Sequence, residues 1–120
     1  MLPNRTFDRN RCLQQLGLAR RASALLVGTD AVLAGLAAGS ALQVWLAVDA
    51  GTNVTKKIRD KCAFYHKPLV QSLSRKELGE ALGRSQVVVV AVTNPGFAAS
   101  LQNALGESDG GVLFDKTESV

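Results

Sequence analysis

The chain has 120 residues, of which 47% are hydrophobic and 20% charged, with a formal net charge of +4. That length suits one domain with one hydrophobic core, and the balance of apolar and charged residues speaks against disorder and against a membrane-embedded protein. No apolar run approaches the roughly 18 residues of a membrane span, and the opening MLPNRTFDRNR has no apolar signal core, so a cytoplasmic location is expected.

The charge is unevenly spread. Residues 1–105 carry 13 basic and 6 acidic side chains, whereas the Gly-rich stretch 106–120 carries Glu107, Asp109, Asp115 and Glu118 against Lys116. A basic body, 1–105, followed by an acidic tail, 106–120, is the expected organisation, and a basic body suits nucleic-acid contact.

In chain order, Cys12, Leu13, Leu16, Leu18 and Ala19 recur at helical spacing and predict a first helix over 10–22, flanked by Arg11, Arg20 and Arg21. The stretch VGTDAVLAGLAAG, Val27 to Gly39, reads as a second helix with no basic residue in it. Thr29 is expected to cap it, Asp30 to favour the positive end of its dipole and Gly39 to close it. LQVWLAV, 42–48, reads as a buried strand ended by DAGTN. From Thr55, Ile58, Cys62 and Tyr65 fall on one side and Lys56, Lys57, Arg59 and Lys61 mostly on the other, which predicts an amphipathic helix with a basic outer face.

Pro68 stops that helix, and LVQSL is a second short strand. Ser74 and Glu77 have capping-box spacing at the start of SRKELGEALG, which Gly83 ends. QVVVVAV, 86–92, is the expected central strand, and Pro95 opens a last helix in TNPGFAASLQNAL. In the tail, Val112–Phe114 is an apolar segment able to dock on the body. Helices alternating with short apolar strands make an α/β chain, a three-layer α-β-α sandwich in a single small domain.

The inventory of reactive groups is thin. There is one histidine; Cys62 and His66 sit four apart but lack a third metal ligand, and GLAAGS lacks the G-K-[ST] ending of a phosphate loop. Two cysteines make no disulfide framework, so Cys12 and Cys62 are expected as buried thiols. An enzyme is not expected. What remains is a set of cations: Arg20 and Arg21 at the end of the first helix, Lys56, Lys57 and Arg59 on the third, and Arg75, Lys76 and Arg84 around the fourth.

The stretches LGLARRASALLVGTDAVLAGLAAG, VWLAVDAGTNVTKKIRDKC, KPLVQSLSRKELGEALGR and VVVVAVTNPGFAASL together resemble the bacterial YlxQ-type branch of the superfamily of the kink-turn-binding ribosomal protein L7Ae. The resemblance runs from about residue 12 to 103. It implies an α-β-α sandwich that binds structured RNA, ribosomal RNA among the candidates, with no catalysis, no cofactor and no metal. In that family RNA is held by the start of the second helix, a basic residue one turn along it, and the loop before the last long strand. Such a site suits RNA, whose bulges expose base edges that its deep major groove hides.

Carried over, the resemblance places the helix start at Gly28, Thr29, Asp30 and Ala31, the basic position at Ala34, and the loop at Gly83, Arg84, Ser85, Gln86 and Val87. Arg20, Arg21, Arg75 and Lys76 are expected near the same surface. This chain departs from the pattern where ribosomal members have Asn-Glu and it has Asp30-Ala31: an Asp cannot donate as an amide does, and Ala31 has no acceptor for a guanine edge. Ala34 can neutralise no phosphate, and neither can Ala38, Ser40 or Leu42, positions often basic in the bacterial branch. The expectation is an RNA-binding protein with a weakened grip along the second helix. The competing expectation is an interaction module that uses helix 29–38 for a homodimer or a partner protein, because small side chains let another helix approach closely.

Overall fold

The computed structural model describes residues 7–106. The chain runs α1 (Arg9–Arg21), β1 (Leu25–Val27), α2 (Thr29–Ala38), β2 (Gln43–Leu46), α3 (Thr52–Phe64), β3 (Leu69–Val70), α4 (Arg75–Leu82), β4 (Val89–Val92) and α5 (Pro95–Leu105). The strands form one sheet in the order β1-β4-β2-β3. β4 is antiparallel to both of its neighbours, and β2 and β3 are parallel, joined through α3.

Alternation along the strands divides the apolar side chains between two faces. Val90 and Val92 of β4 join Trp45 and Val70 on one face, under Cys12 and Leu16 of α1, Leu78 and Leu82 of α4, and Leu101 of α5. Val89 and Ala91 join Val44, Leu46 and Leu69 on the other, under Val32 and Leu36 of α2 and Ile58 and Cys62 of α3. Helices cover both faces, so β2 and β4 are buried at every position, which is why, Gln43 apart, they read as continuous apolar runs. The α-β-α sandwich is therefore observed.

Local chemistry sets the helix ends. Ser74 accepts from the Glu77 amide while the Glu77 carboxylate accepts from the Ser74 amide, the full capping box. Gly39 closes α2 in the left-handed conformation at φ 85°, and Asn94 caps α5 with Pro95 in its first turn. Cys12 and Cys62 are buried free thiols, and burial pushes both up to about 12, far from reactivity at neutral pH. Cys62 belongs to the core and His66 is exposed, so the pair does not face a common ligand.

Several expectations need correction. Residues 25–27 form a strand that the sequence did not announce, so Val27 of VGTDAVLAGLAAG belongs to β1, while the helix itself has the expected bounds, Thr29–Ala38. Three residues are too few to show alternation, and β1 exists because β4 pairs with it, Leu25 opposite Val92 and Val27 opposite Val90. Thr29 is not the cap: Gly28 occupies that position without a side-chain hydrogen bond, and Thr29 is the first helical residue. The central strand starts at Val89, because Gln86–Val88 belong to the loop before it. The other two strands are shorter than expected, and α3 starts one turn early, at Thr52. Among the described residues no helix is long and apolar enough to cross a membrane. Of the expected acidic tail, 106–120, residues 107–120, with the Val112–Phe114 segment, lie outside the described residues.

One buried polar pair spans strand and helix. Gln43, 2% exposed, accepts from the Trp45 indole at 2.8 Å and donates to the Ala98 carbonyl of α5 at 3.1 Å. Replacing Gln43 by Leu strands the indole N–H in the core and should cost about 1–3 kcal/mol in urea unfolding, and adding Trp45→Phe to it should cost less than the sum of the two single changes.

Candidate nucleic-acid interface

β4 runs opposite to β1 and β2, and β3 runs with β2, so β1, β2 and β3 all point to one end of the sheet. The helix after each therefore begins at that end, and the 83–88 loop enters β4 there. Three helix N-termini with partial positive charge thus gather at one edge. In α4 the capping box takes up the Ser74 and Glu77 amides and Asp49 the Arg75 amide, whereas the caps of α2 and α3, Gly28 and Gly51, make no side-chain bond to the first-turn amides.

Backbone hydrogen bonds bind these pieces into one surface. The Gly28 amide donates to the Val89 carbonyl at 2.9 Å, and the Ala47 amide donates to the Val88 carbonyl at 2.8 Å. The loop's last residues are thereby held between the start of α2 and the β2–α3 turn. Val87 donates to the Arg75 carbonyl at 3.0 Å, which brings the loop back over the start of α4. Gly28 takes φ 101°, a conformation that L side chains rarely adopt, so glycine is required where the chain turns from β1 into α2.

The loop leaves α4 through Gly83 at φ 74° and folds back so closely that the Arg84 amide donates to the Gly79 carbonyl at 2.8 Å. A Cβ on Gly79 would stand 2.6 Å from the Gln86 Cα and 2.7 Å from its amide nitrogen. Gly79 is thus the reason that Arg84, Ser85 and Gln86 pack against α4 with their side chains in solvent, ahead of buried Val87.

Of the expected site residues, Gly28, Thr29 and Asp30 stand at the edge where the loop enters β4, and exposed Arg84, Ser85 and Gln86 lie on that loop, whose Val87 bonds Arg75, with exposed Lys76 beside Arg75 in the first turn of α4. Arg75 is partly engaged: its amide and guanidinium bond Asp49, at 2.8 and 3.4 Å, and the amide bond holds that carboxyl below the usual range. Arg20 and Arg21 stand apart. They close α1 before Ala24, whose carbonyl accepts from Thr93, and so they sit at the Val92 end of β4 rather than the Val89 end. On α2, Ala34, Ala37 and Ala38 face solvent while Val32 and Leu36 are buried.

Sequence reasoning missed Gly79 and Asp49. A glycine inside a helix of 8 residues was itself a signal, since it costs about 1 kcal/mol against alanine unless a close approach requires it. Asp49 gave none, because its partner lies 26 residues away.

Gly79→Ala should destabilise the protein by about 1–3 kcal/mol in denaturant unfolding and shift the amide NMR signals of residues 84–86, because the new methyl meets backbone that cannot rotate away. Glu77 supplies a pH test. The Ser74 amide, and then the Arg9 guanidinium, hold its carboxyl below the ordinary 4.5. The stabilisation from a depressed carboxyl is complete above the unfolded value and is lost as pH falls through the folded one. Acid titration of stability should therefore fall more steeply below pH 4.5 in the wild type than in Glu77→Gln.

The pattern of the Ribosomal protein L7Ae/L30e/S12e/Gadd45 family matches residues 10–102. RNA-binding protein YlxQ of Bacillus subtilis (strain 168) is 42% identical over 90 residues, which cover 75% of this chain and 90% of the relative. RNA-binding protein YlxQ of Enterococcus faecium is 33% identical over 91 residues, covering 76% and 87%. Among solved structures, a protein of unknown function from Bacillus halodurans superposes with a TM-score of 0.76 at 37% identity, over 79% of this chain and 96% of the other. The Giardia lamblia 15.5kD RNA binding protein shares the fold, with a TM-score of 0.70 at 19% identity over 80% of this chain and 82% of the other. With one family pattern across both cores and the interface, and YlxQ relatives at this identity, the chain belongs to the Ribosomal protein L7Ae/L30e/S12e/Gadd45 family as a YlxQ-type member.

Proposed function

We propose that this protein binds structured RNA of the kink-turn kind, ribosomal RNA among the candidates, in the cytoplasm and without catalysis. In this reading it uses the start of α2 and the 83–88 loop and has a weakened grip along α2. The observation that carries the reading is the bonding of Gly28 to Val89, which seats the uncapped start of α2 beside the end of the loop on which Arg84, Ser85 and Gln86 are exposed. Two relatives named RNA-binding proteins support it.

In this reading, backbone amides at Gly28–Asp30 and the loop receive the phosphate and base edge of a splayed nucleotide, and apolar Val87 and Val88 back it. Arg84 supplies a cation and Gln86 an amide that both donates and accepts. Arg75 and Lys76 add positive field at the rim, and Arg20 and Arg21 act only on RNA that extends around the sheet edge. The exposed face of α2 adds nothing. Each phosphate contact contributes a slope of about 0.9 in log affinity against log salt for duplex DNA and about 0.7 for a single strand, so binding here should be both weaker and less salt-sensitive than in relatives with a basic α2.

A second reading rests on the same exposed alanines: helix 29–38 docks a second copy or a partner protein, and kink-turn binding is lost. Gel shift at low salt separates the two. The first reading expects a kink-turn RNA to bind more tightly than a plain duplex and Arg84→Ala to lose about tenfold, near the lower end of what a hydrogen bond from a charged group is worth. Equal binding of both RNAs, unchanged by Arg84→Ala, favours the second. Ala34→Lys, at an exposed helix position, should tighten kink-turn binding and steepen the salt slope by about 0.7–0.9.

A further inference from the structure

The outer side of α3 belongs neither to the core nor to the interface described above. Ile58 and Cys62 fix its buried side, while Lys57, Lys61 and Phe64, at i, i+4 and i+7, share an exposed strip. Phe64 is 69% exposed, the most open large apolar side chain among the described residues. The Tyr65 ring stands perpendicular to it with centroids 4.8 Å apart, and the Lys61 ammonium lies 5.8 Å from the ring centre. Around it, Lys56, Lys57, Arg59, Lys61 and Lys67 face a single acid of the same segment, Asp60, which pairs with Lys56 at 3.1 Å. Among the described residues, Lys57, Arg59 and Lys61 make no ion pair.

Three kinds of partner can be compared on this surface. A stable protein interface buries about 800 Å² a side around an apolar centre, but Phe64 has no large apolar neighbour to build one, since the other exposed large hydrophobics, Leu18 and Val48, lie on α1 and after β2. A membrane surface needs an apolar helix face, and that of α3 is buried against the sheet. An unpaired RNA segment needs a cationic track with an aromatic ring on which a base can stack, and this strip has both.

We propose that the Lys57–Lys61–Phe64 strip of α3 is a second RNA-binding surface, which takes a single-stranded segment with one base stacked on Phe64 and the adjoining phosphates on Lys57 and Lys61. α3 begins at the edge that holds the first interface and its 13 residues carry Phe64 about 20 Å from that edge. The strip therefore acts on RNA that flanks a folded element, and it binds whether or not that element is a kink-turn.

The test is fluorescence anisotropy of the full chain with a short labelled oligouridine and, separately, with a kink-turn RNA. The wild type should bind oligouridine; Phe64→Ala should lose about fivefold or more, as expected for removal of one stacking platform, and Phe64→Tyr should keep the affinity. Lys57→Gln with Lys61→Gln should flatten the salt slope by about 1.4, and Arg84→Ala should leave oligouridine binding unchanged. Phe64→Ala should keep the kink-turn preference over duplex, so loss of that preference in Arg84→Ala alone tells the two surfaces apart. Unchanged thermal melting confirms that these surface variants are folded. Failure of the wild type to bind oligouridine, full affinity in Phe64→Ala, or an equal loss in Phe64→Tyr overturns the proposal.

Discussion

The insertion of β4 antiparallel between β1 and β2 is the constraint on which the rest depends. It lets Val89 accept from Gly28 on one side while Val88 accepts from Ala47 on the other. Without it, the start of α2, the 83–88 loop and the β2–α3 turn would be three separate surface features. With it, they form one edge, and the two cores packed on β4 from opposite faces, through Val90 and Val92 and through Val89 and Ala91, fix that edge rigidly. Binding loops supported by central strands gain precision that an isolated loop lacks.

The same arrangement explains how fold and site can diverge. α2 is held by its inward side, Val32 and Leu36, and by the left-handed Gly39 at its end. Its outward Ala34, Ala37 and Ala38 are strong helix formers that contribute propensity and no charge, so nothing in the fold requires basic residues there. The loop is different. Gly79 must remain small, Gly83 takes φ 74°, and the loop backbone is bonded at several points, so its shape is fixed by the fold even where its side chains are free to vary.

Much of the architecture was legible in the sequence because its signals are local. The Ser74–Glu77 spacing, Pro95, Gly39 and the apolar runs around Val44 and Val90 each announced an element through chemistry within a few residues. β1 was not legible, since a three-residue edge strand is made by its partner. For the site, residue resemblance identified the loop and the start of α2, but charge alone grouped Arg20 and Arg21 with them, and topology separates these. The Arg75–Asp49 bond, between residues far apart in the chain, lay beyond any local signal.

The central claim is that one edge, made by the start of α2 and the 83–88 loop, receives structured RNA, and amide NMR titration of the labelled protein with a kink-turn RNA tests it most directly. The account predicts the largest shifts at Gly28–Asp30 and Arg84–Val88, with little change along Ala34–Ala38. Shifts confined to Ala34–Ala38 or to Arg20 and Arg21, with the Gly28 and Val88 amides unmoved, would contradict it.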